Sequence, residues 1–229
     1  MGQFTTLTAA DGFTLLAYVA RPSGHPRAAV VVLQEIFGVN SHIREVADRF
    51  AAEGYLAVVP ATFDRVKTGV ELGYTEADMA AGFELKTAVD ALPGAGVLPD
   101  IQAAIDHAAH SSGGKVGIVG FCWGGLLTWK AACLLKGLSA AVPYYGGGIT
   151  SEGEIARQPQ CPVMAHFGDQ DHWIPMEGIE AFKKAQPEVA VHVYPANHGF
   201  NCDQRASYNE AAATLARERS LAFLAAKLA

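Results

Sequence analysis

The feature that most constrains the fold is an alternation of short apolar segments with longer segments of helical periodicity. The apolar segments are rich in β-branched and aromatic residues and are bounded by Gly, Pro or polar residues, which is typical of strands buried on both faces. They occupy residues 28–33, 55–60, 116–121, 140–145, 163–167 and 189–194. Amphipathic helices are predicted at 41–53, 100–110, 124–136, 177–185 and 207–227. This order predicts an α/β protein with a doubly wound, mostly parallel sheet.

Two segments depart from the alternation. Residues 3–8 and 13–20 flank the turn signal Asp11-Gly12 and predict an antiparallel hairpin at the start of the chain. Residues 61–97 are too polar and irregular at their start for one crossover helix. We predict an excursion over the carboxyl ends of the strands, with a helix at 76–89, and leave open whether it acts as a lid. Because no repeat or linker is visible, we expect a single domain over residues 1–229.

Composition limits the classes of function. The formal net charge is −6 and no Lys/Arg-rich run is present, which argues against nucleic acid and anionic membrane as partners. The sequence has no apolar run long enough to span a bilayer, and its first residues lack the basic region of a signal peptide. We therefore expect a cytoplasmic protein that acts on a small soluble molecule. Its four cysteines lack the paired spacing of a zinc site or the density of a disulfide-stapled domain.

A cysteine lies where a nucleophile is expected. Gly-Phe-Cys-Trp-Gly-Gly at 120–125 joins a predicted strand directly to a predicted helix, which is the context of a nucleophile elbow with Cys122 in place of the usual Ser. The helix N-terminus favours a thiolate, and the Trp123 N–H could stabilise an oxyanion. The alternative is that Cys122 is a small buried hydrophobic residue in a tight turn.

A base and an acid are predicted in two later loops. In this strand–helix arrangement the chain order is nucleophile, acid, base. His198 follows the last predicted strand and precedes Gly199, whereas His172 would lie beside the acid rather than opposite it. Asp169 and Asp171 are both candidates for the acid, and Asp169 is also suited to stabilising the turn. The residues alone leave that choice open.

Five motifs together resemble the dienelactone hydrolase family, over nearly the whole chain. They are Q-E-I-F-G at 34–38, I-R-E-V-A-D-R at 43–49, G-F-C-W-G-G at 120–125, G-D-Q-D-H-W-I-P at 168–175 and N-H-G-F at 197–200. The resemblance implies the α/β-hydrolase fold, with Asp171 as the acid and His198 as the base. It also implies that Glu35 hydrogen-bonds the resting thiol and accepts its proton, and that the Ile36 N–H is the second oxyanion donor.

The resemblance further implies hydrolysis of a lactone or activated ester through a thioester, with no metal or organic cofactor. The two arginines with which dienelactone-hydrolysing members bind the substrate carboxylate are not cleanly matched. Candidate substrate contacts are Phe37, Lys86, Cys202 and Arg205, with Arg65 and Lys67 as further substitutes. The alternatives left open are a carboxylesterase or thioesterase on another small substrate, a non-catalytic binder of small electrophiles, and a redox role for Cys122 with Cys202. The oligomeric state is also left open.

Overall fold

The computed structural model describes residues 2–229 and contains eight strands and seven helices in that range. The strands are β1 Gln3–Thr8, β2 Thr14–Ala20, β3 Ala28–Leu33, β4 Tyr55–Pro60, β5 Val116–Phe121, β6 Leu138–Tyr144, β7 Met164–Gly168 and β8 Ala190–Tyr194. The helices are α1 Ser41–Ala52, α2 Glu76–Asp90, α3 Leu98–Ser112, α4 Trp123–Leu134, α5 Glu152–Ile155, α6 Met176–Ala185 and α7 Glu210–Leu228.

All eight strands form one sheet in the order β1-β2-β4-β3-β5-β6-β7-β8. Strands β3 to β8 are parallel, whereas β2 is antiparallel to both β1 and β4. The hairpin register pairs Gln3 with Val19 and Thr8 with Thr14, and Gly12 adopts the positive φ of 85° that its tight turn requires. The predicted mostly parallel sheet with an N-terminal antiparallel hairpin is confirmed.

The core lies around the middle of the sheet. Every residue of β3, β4 and β5 is buried, as their continuous apolar sequences predict. Helices α1 and α3 pack on β4, α4 packs on β5 and β6, and α7 packs on β6. The alternation of strand and helix therefore places the apolar strands between layers of helices.

Helix ends follow local capping chemistry. Helix α2 begins after Thr75, whose side chain accepts from the Asp78 N–H while the Asp78 carboxylate accepts from the Thr75 N–H. Helix α7 begins three residues later than predicted because Asn209 is its cap and accepts from the Ala212 N–H. The short helix α5 was not predicted, since four residues contain too little periodicity to detect.

Within residues 2–229, no helix combines the length and the apolar character needed to cross a membrane. The excursion after β4 contains α2, and four residues of that helix line a cavity at the carboxyl ends of the parallel strands.

Candidate active site

The carboxyl ends of neighbouring parallel strands bring the predicted reactive side chains to one edge of the sheet. Glu35 follows β3, Cys122 follows β5, Asp171 follows β7 and His198 follows β8. These strands lie in the order β3-β5-β6-β7-β8. Residues far apart in sequence therefore converge where ligands bind in sheets of this type.

Cys122 lies in a strained turn between β5 and α4. Its φ of 56° and ψ of −120° are unfavourable for a residue with a side chain and cost about 1–3 kcal/mol. The strand and helix approach so closely that a Cβ on Gly120 would lie 2.2 Å from the Gly124 carbonyl oxygen. A Cβ on Gly124 would lie 2.3 Å from the Gln34 carbonyl oxygen. The two glycines thus permit the turn that presents the thiol.

Two backbone donors accompany the thiol. Ile36, Trp123 and Cys122 line the same cavity. Trp123 is the first residue of α4, so its N–H has no acceptor within the helix. In the described part of the chain, neither the Ile36 N–H nor the Trp123 N–H donates to another residue. The Phe63 ring stacks on the Trp123 ring with centroids 5.1 Å apart, which fixes the start of α4.

The structure pairs His198 with Asp171. The distance from His198 Nδ1 to Asp171 Oδ2 is 2.7 Å, and both side chains are buried. The other carboxylate oxygen of Asp171 accepts from the Trp173 N–H at 2.8 Å. Asp169 and His172, the competing candidates, are both exposed. This arrangement leaves Nε2 of His198 as the nitrogen available to the cavity.

The surroundings of His198 favour its protonated form. Burial disfavours the charged imidazolium, but the negative charge of the neighbouring Cys122 thiolate and the hydrogen bonds with Asp171 and Cys122 outweigh burial. Together they raise the pKa of His198 to about 10. The arrangement therefore favours the imidazolium form of His198 at neutral pH.

Glu35 is buried between two polar neighbours. Arg205 Nη1 donates to Glu35 Oε1 at 3.0 Å, and the Tyr74 hydroxyl donates to Glu35 Oε2 at 3.4 Å. Within residues 2–229 these are the hydrogen bonds that the carboxylate accepts, so the bond to the resting thiol that the family resemblance implies is not formed here. Arg205 balances the charge of Glu35 beside the cavity.

A second cluster lies behind Glu35. Ligand-type atoms of Glu35, His42 and Cys202 lie within 4.8 Å of one another, and all three residues are buried. Such a set could hold a thiophilic cation. Nδ1 of His42 lies 3.3 Å from Asp203 Oδ1, which is how a metal-binding histidine is usually oriented, and its Nε2 has no partner in the described chain. However, burial raises the pKa of the Cys202 thiol to about 12, and the Arg205 guanidinium on Glu35 would repel a cation. The cluster therefore fits a hydrogen-bonded polar network better than a metal site.

The cavity has a volume of about 330 Å³ and includes most of the predicted substrate contacts. Phe37, Lys86 and Arg205 line it, together with Cys122 and His198. Cys202 is fully buried behind Glu35 and is not among the described residues that line the cavity, so the structure does not support a direct substrate contact for this residue, which stays a prediction. Arg65 also lies elsewhere, because its guanidinium binds Asp100 in α3.

Sequence reasoning missed several residues of the cavity wall. The missed residues are Met79, Phe83, Thr87, Gly147, Gly148 and Trp173. Three of these lie on α2 at spacings of four residues, a helical stripe that was visible in the sequence. Tyr145 was also missed: its ring lies 5.1 Å from that of His198, at the carboxyl end of β6, and its φ is 35°. Its position after a parallel strand was the available signal.

Comparison with known proteins places this site in a family. The model described as "Dienelactone hydrolase family" matches residues 15–228. The chain belongs to the dienelactone hydrolase family. A "Putative carboxymethylenebutenolidase" from Synechocystis sp. is 40% identical over 216 residues, which cover 87% of this chain and 86% of the relative. A carboxymethylenebutenolidase from Pseudomonas putida is 37% identical over 223 residues, which cover 94% of this chain and 92% of the relative.

Among solved structures, the crystal structure of a "Putative Dienelactone Hydrolase" from Klebsiella pneumoniae matches with a TM-score of 0.81 and 32% identity. The match covers 98% of this chain and 99% of that chain. The resemblance to the dienelactone hydrolase family and the predicted α/β-hydrolase fold are both confirmed.

Proposed function

We propose that this member of the dienelactone hydrolase family cleaves a lactone or an activated carboxylic ester through Cys122, His198 and Asp171. One observation supports the proposal most directly. Cys122 lies on a strained elbow in the same cavity as His198, and His198 Nδ1 is 2.7 Å from Asp171 Oδ2. A nucleophile, a base and a group that orients the base are thus present together.

In the proposed first half-reaction, the Cys122 thiolate attacks the acyl carbon of the substrate. The N–H groups of Ile36 and Trp123 stabilise the negative charge that develops on the carbonyl oxygen. The His198 imidazolium gives its Nε2 proton to the leaving oxygen as the carbon–oxygen bond breaks. The products are an alcohol or enol and an acyl thioester on Cys122.

In the second half-reaction, His198 is neutral and accepts a proton from a water molecule. The water oxygen attacks the thioester carbon, the carbon–sulfur bond breaks, and Cys122 leaves as a thiolate. Asp171 holds Nδ1 throughout and stabilises the imidazolium that forms again. The cycle uses only residues of this chain and water.

We further propose that Glu35 acts on Cys122 through its charge. A carboxylate near the thiol opposes the thiolate, and Arg205 offsets that effect by donating to Glu35 at 3.0 Å. The pair would therefore set how readily the free enzyme forms a reactive thiolate. Phe37, Lys86 and Arg205 are the proposed substrate contacts that line the cavity.

The test is hydrolysis of p-nitrophenyl acetate and cis-dienelactone by the wild type and by Cys122→Ala, His198→Ala and Asp171→Asn. We expect each substitution at Cys122 or His198 to lower kcat/KM by at least about a thousandfold. Mass spectrometry of the acid-quenched wild type should detect an acetyl group on Cys122. Cys133→Ala is the matched control, since it removes a buried thiol that does not line the cavity.

Equal rates for the wild type and Cys122→Ala would contradict the mechanism. An acetyl group found on another residue would also contradict it. The ratio of the two rates in the wild type would show whether lactones or simple esters are preferred.

A further inference from the structure

Two large aromatic side chains stand exposed at the mouth of the cavity. Phe83 on α2 is 38% exposed and Trp173, in the loop after β7, is 63% exposed. Their ring centroids are 5.7 Å apart and the rings are tilted by 39°. Both side chains line the cavity that contains Cys122 and His198. Covering exposed aromatic surface with an apolar ligand is favourable, because it removes apolar surface from water.

Both rings are tied to elements that hold the reactive groups. The Trp173 N–H donates to Asp171 Oδ1 at 2.8 Å. Helix α2 lies so close to the segment after β3 that a Cβ on Gly82 would be 2.4 Å from the Ile36 carbonyl oxygen. Phe83 is therefore held near Ile36 as Trp173 is held near Asp171. Both rings therefore share one cavity with Cys122 and His198.

The two cationic side chains of the cavity wall are already paired with carboxylates. Arg205 donates to buried Glu35, and Lys86 is paired with Asp90 one helical turn away. A substrate carboxylate that took Arg205 would leave Glu35 as a buried charge without its partner, which is costly. Lys86 and Asp90 form a more exposed ion pair, and exposed ion pairs contribute little free energy. A substrate carboxylate that replaced Asp90 on Lys86 would therefore add little to the affinity.

We propose that Phe83 and Trp173 form an aromatic subsite and that the preferred substrates are uncharged aryl esters. This inference rests on the proposed hydrolase function. A phenolate is also a good leaving group for attack by a thiol, which agrees with an aromatic ring on the alcohol side of the ester. The subsite determines specificity and takes no part in bond breaking.

Three acetate esters test this inference in a pH-stat assay: phenyl acetate, 4-acetoxybenzoate and 2,2,2-trifluoroethyl acetate. The first has a neutral ring, the second adds a carboxylate to that ring, and the third has no ring. Each kcat/KM is divided by the hydroxide-catalysed rate constant of the same ester, so that intrinsic reactivity cancels. For the wild type we expect phenyl acetate to exceed each of the other two by at least about tenfold.

Phe83→Ala and Trp173→Ala test the rings separately. Each should lower the normalised kcat/KM for phenyl acetate, mainly through KM, by a factor about five times or more larger than the factor for trifluoroethyl acetate. Trp173→Ala keeps the N–H that binds Asp171, and Trp173→Phe should restore most of the activity. Tyr208→Ala, a change at a 40% exposed aromatic residue outside the cavity wall, is the control.

The outcomes separate the two proposals. If all three esters lose activity equally in the ring variants, the rings support the fold of the site and the aromatic subsite is refuted. A preference for 4-acetoxybenzoate would also refute it and would indicate a carboxylate site. If the wild type hydrolyses trifluoroethyl acetate but shows no preference for phenyl acetate, the hydrolase proposal stands without the subsite. If none of the three esters is hydrolysed, the aromatic subsite is refuted, and the hydrolase proposal is overturned as well if cis-dienelactone is not hydrolysed.

Discussion

The protonation of His198 should depend on the thiol of Cys122. Raising the pKa of His198 from its ordinary value of 6.5 to about 10 corresponds to about 5 kcal/mol of preference for the imidazolium. Burial acts against the charge, so the Cys122 thiolate and Asp171 must supply more than this amount. Cys122→Ala removes the thiolate but leaves burial and Asp171 in place. We therefore expect the pKa of His198 in this variant to be well below that in the wild type.

The assay is a titration of the histidine ring signals by NMR, with the His198 signal assigned by its loss in His198→Gln. In the wild type that signal should show the imidazolium from pH 5 to pH 8.5, and in Cys122→Ala it should titrate within this range. Cys161→Ala removes another buried thiol and should leave the signal unchanged. A wild-type His198 that titrates near pH 6.5, with no change in Cys122→Ala, would refute the proposed ion pair.

Three further predictions concern stability. Arg205→Met should destabilise the protein by about 3–5 kcal/mol in urea unfolding because Glu35 is left buried without its partner. Adding Glu35→Gln to this variant should restore most of the lost stability. If the two substitutions instead lower the free energy of unfolding additively, the pair does not contribute as proposed. Gly124→Ala should lower the free energy of unfolding by about 1–3 kcal/mol and abolish esterase activity, since its Cβ would lie 2.3 Å from a carbonyl oxygen. Gly153→Ala, whose Cβ would have no atom within 4 Å, is the control and should change neither quantity. An active Gly124→Ala enzyme would contradict the close packing. Burial, with His192 and Arg219 nearby, lowers the pKa of His166 in the folded protein well below its ordinary value of 6.5. The unfolded chain therefore binds a proton at His166 more readily than the folded protein does. The stability that comes from this difference is fully present above pH 6.5 and is lost as the pH falls toward the folded-state pKa. Unfolding free energies at pH 8, 6.5 and 5 should therefore fall less steeply in His166→Asn than in the wild type, and equal slopes would exclude His166 as the cause.

The order of strands and helices was predictable because strands buried on both faces contain no polar alternation. Residues 28–33 and 116–121 have the same bounds in the structure as in the prediction. At the start of α7 the prediction is three residues early because the Asn209 cap, rather than hydrophobicity, sets the end. Helix α4 begins at Trp123, immediately after the elbow, because the turn geometry and not an amphipathic pattern starts it.

The proposed reactive side chains have clearer signals in the sequence than the walls of the cavity. Cys122 is marked by glycines at positions 120 and 124, each of which meets a neighbouring backbone in the structure. The pairing of Arg205 with Glu35 joins residues 170 positions apart and needs the tertiary fold. The contact between the rings of Phe83 and Trp173 also needs the tertiary fold, because nothing in the sequence indicates that these two residues meet.

A cysteine at the elbow makes the electrostatics of the surrounding charges more important than a serine would. A serine gives up its proton only as it attacks, whereas a thiolate can exist beforehand and is then exposed to oxidants and other electrophiles. In the proposed mechanism His198 stabilises the thiolate and Glu35 opposes it, and the structure shows Arg205 donating to Glu35 at 3.0 Å. Because Arg205 also lines the cavity, a ligand that drew it away from Glu35 would change the reactivity of Cys122 without touching the sulfur. An uncharged aryl ester leaves the Arg205–Glu35 pair intact, so for such a substrate the charges around Cys122 in the free protein are also those present when the ester binds.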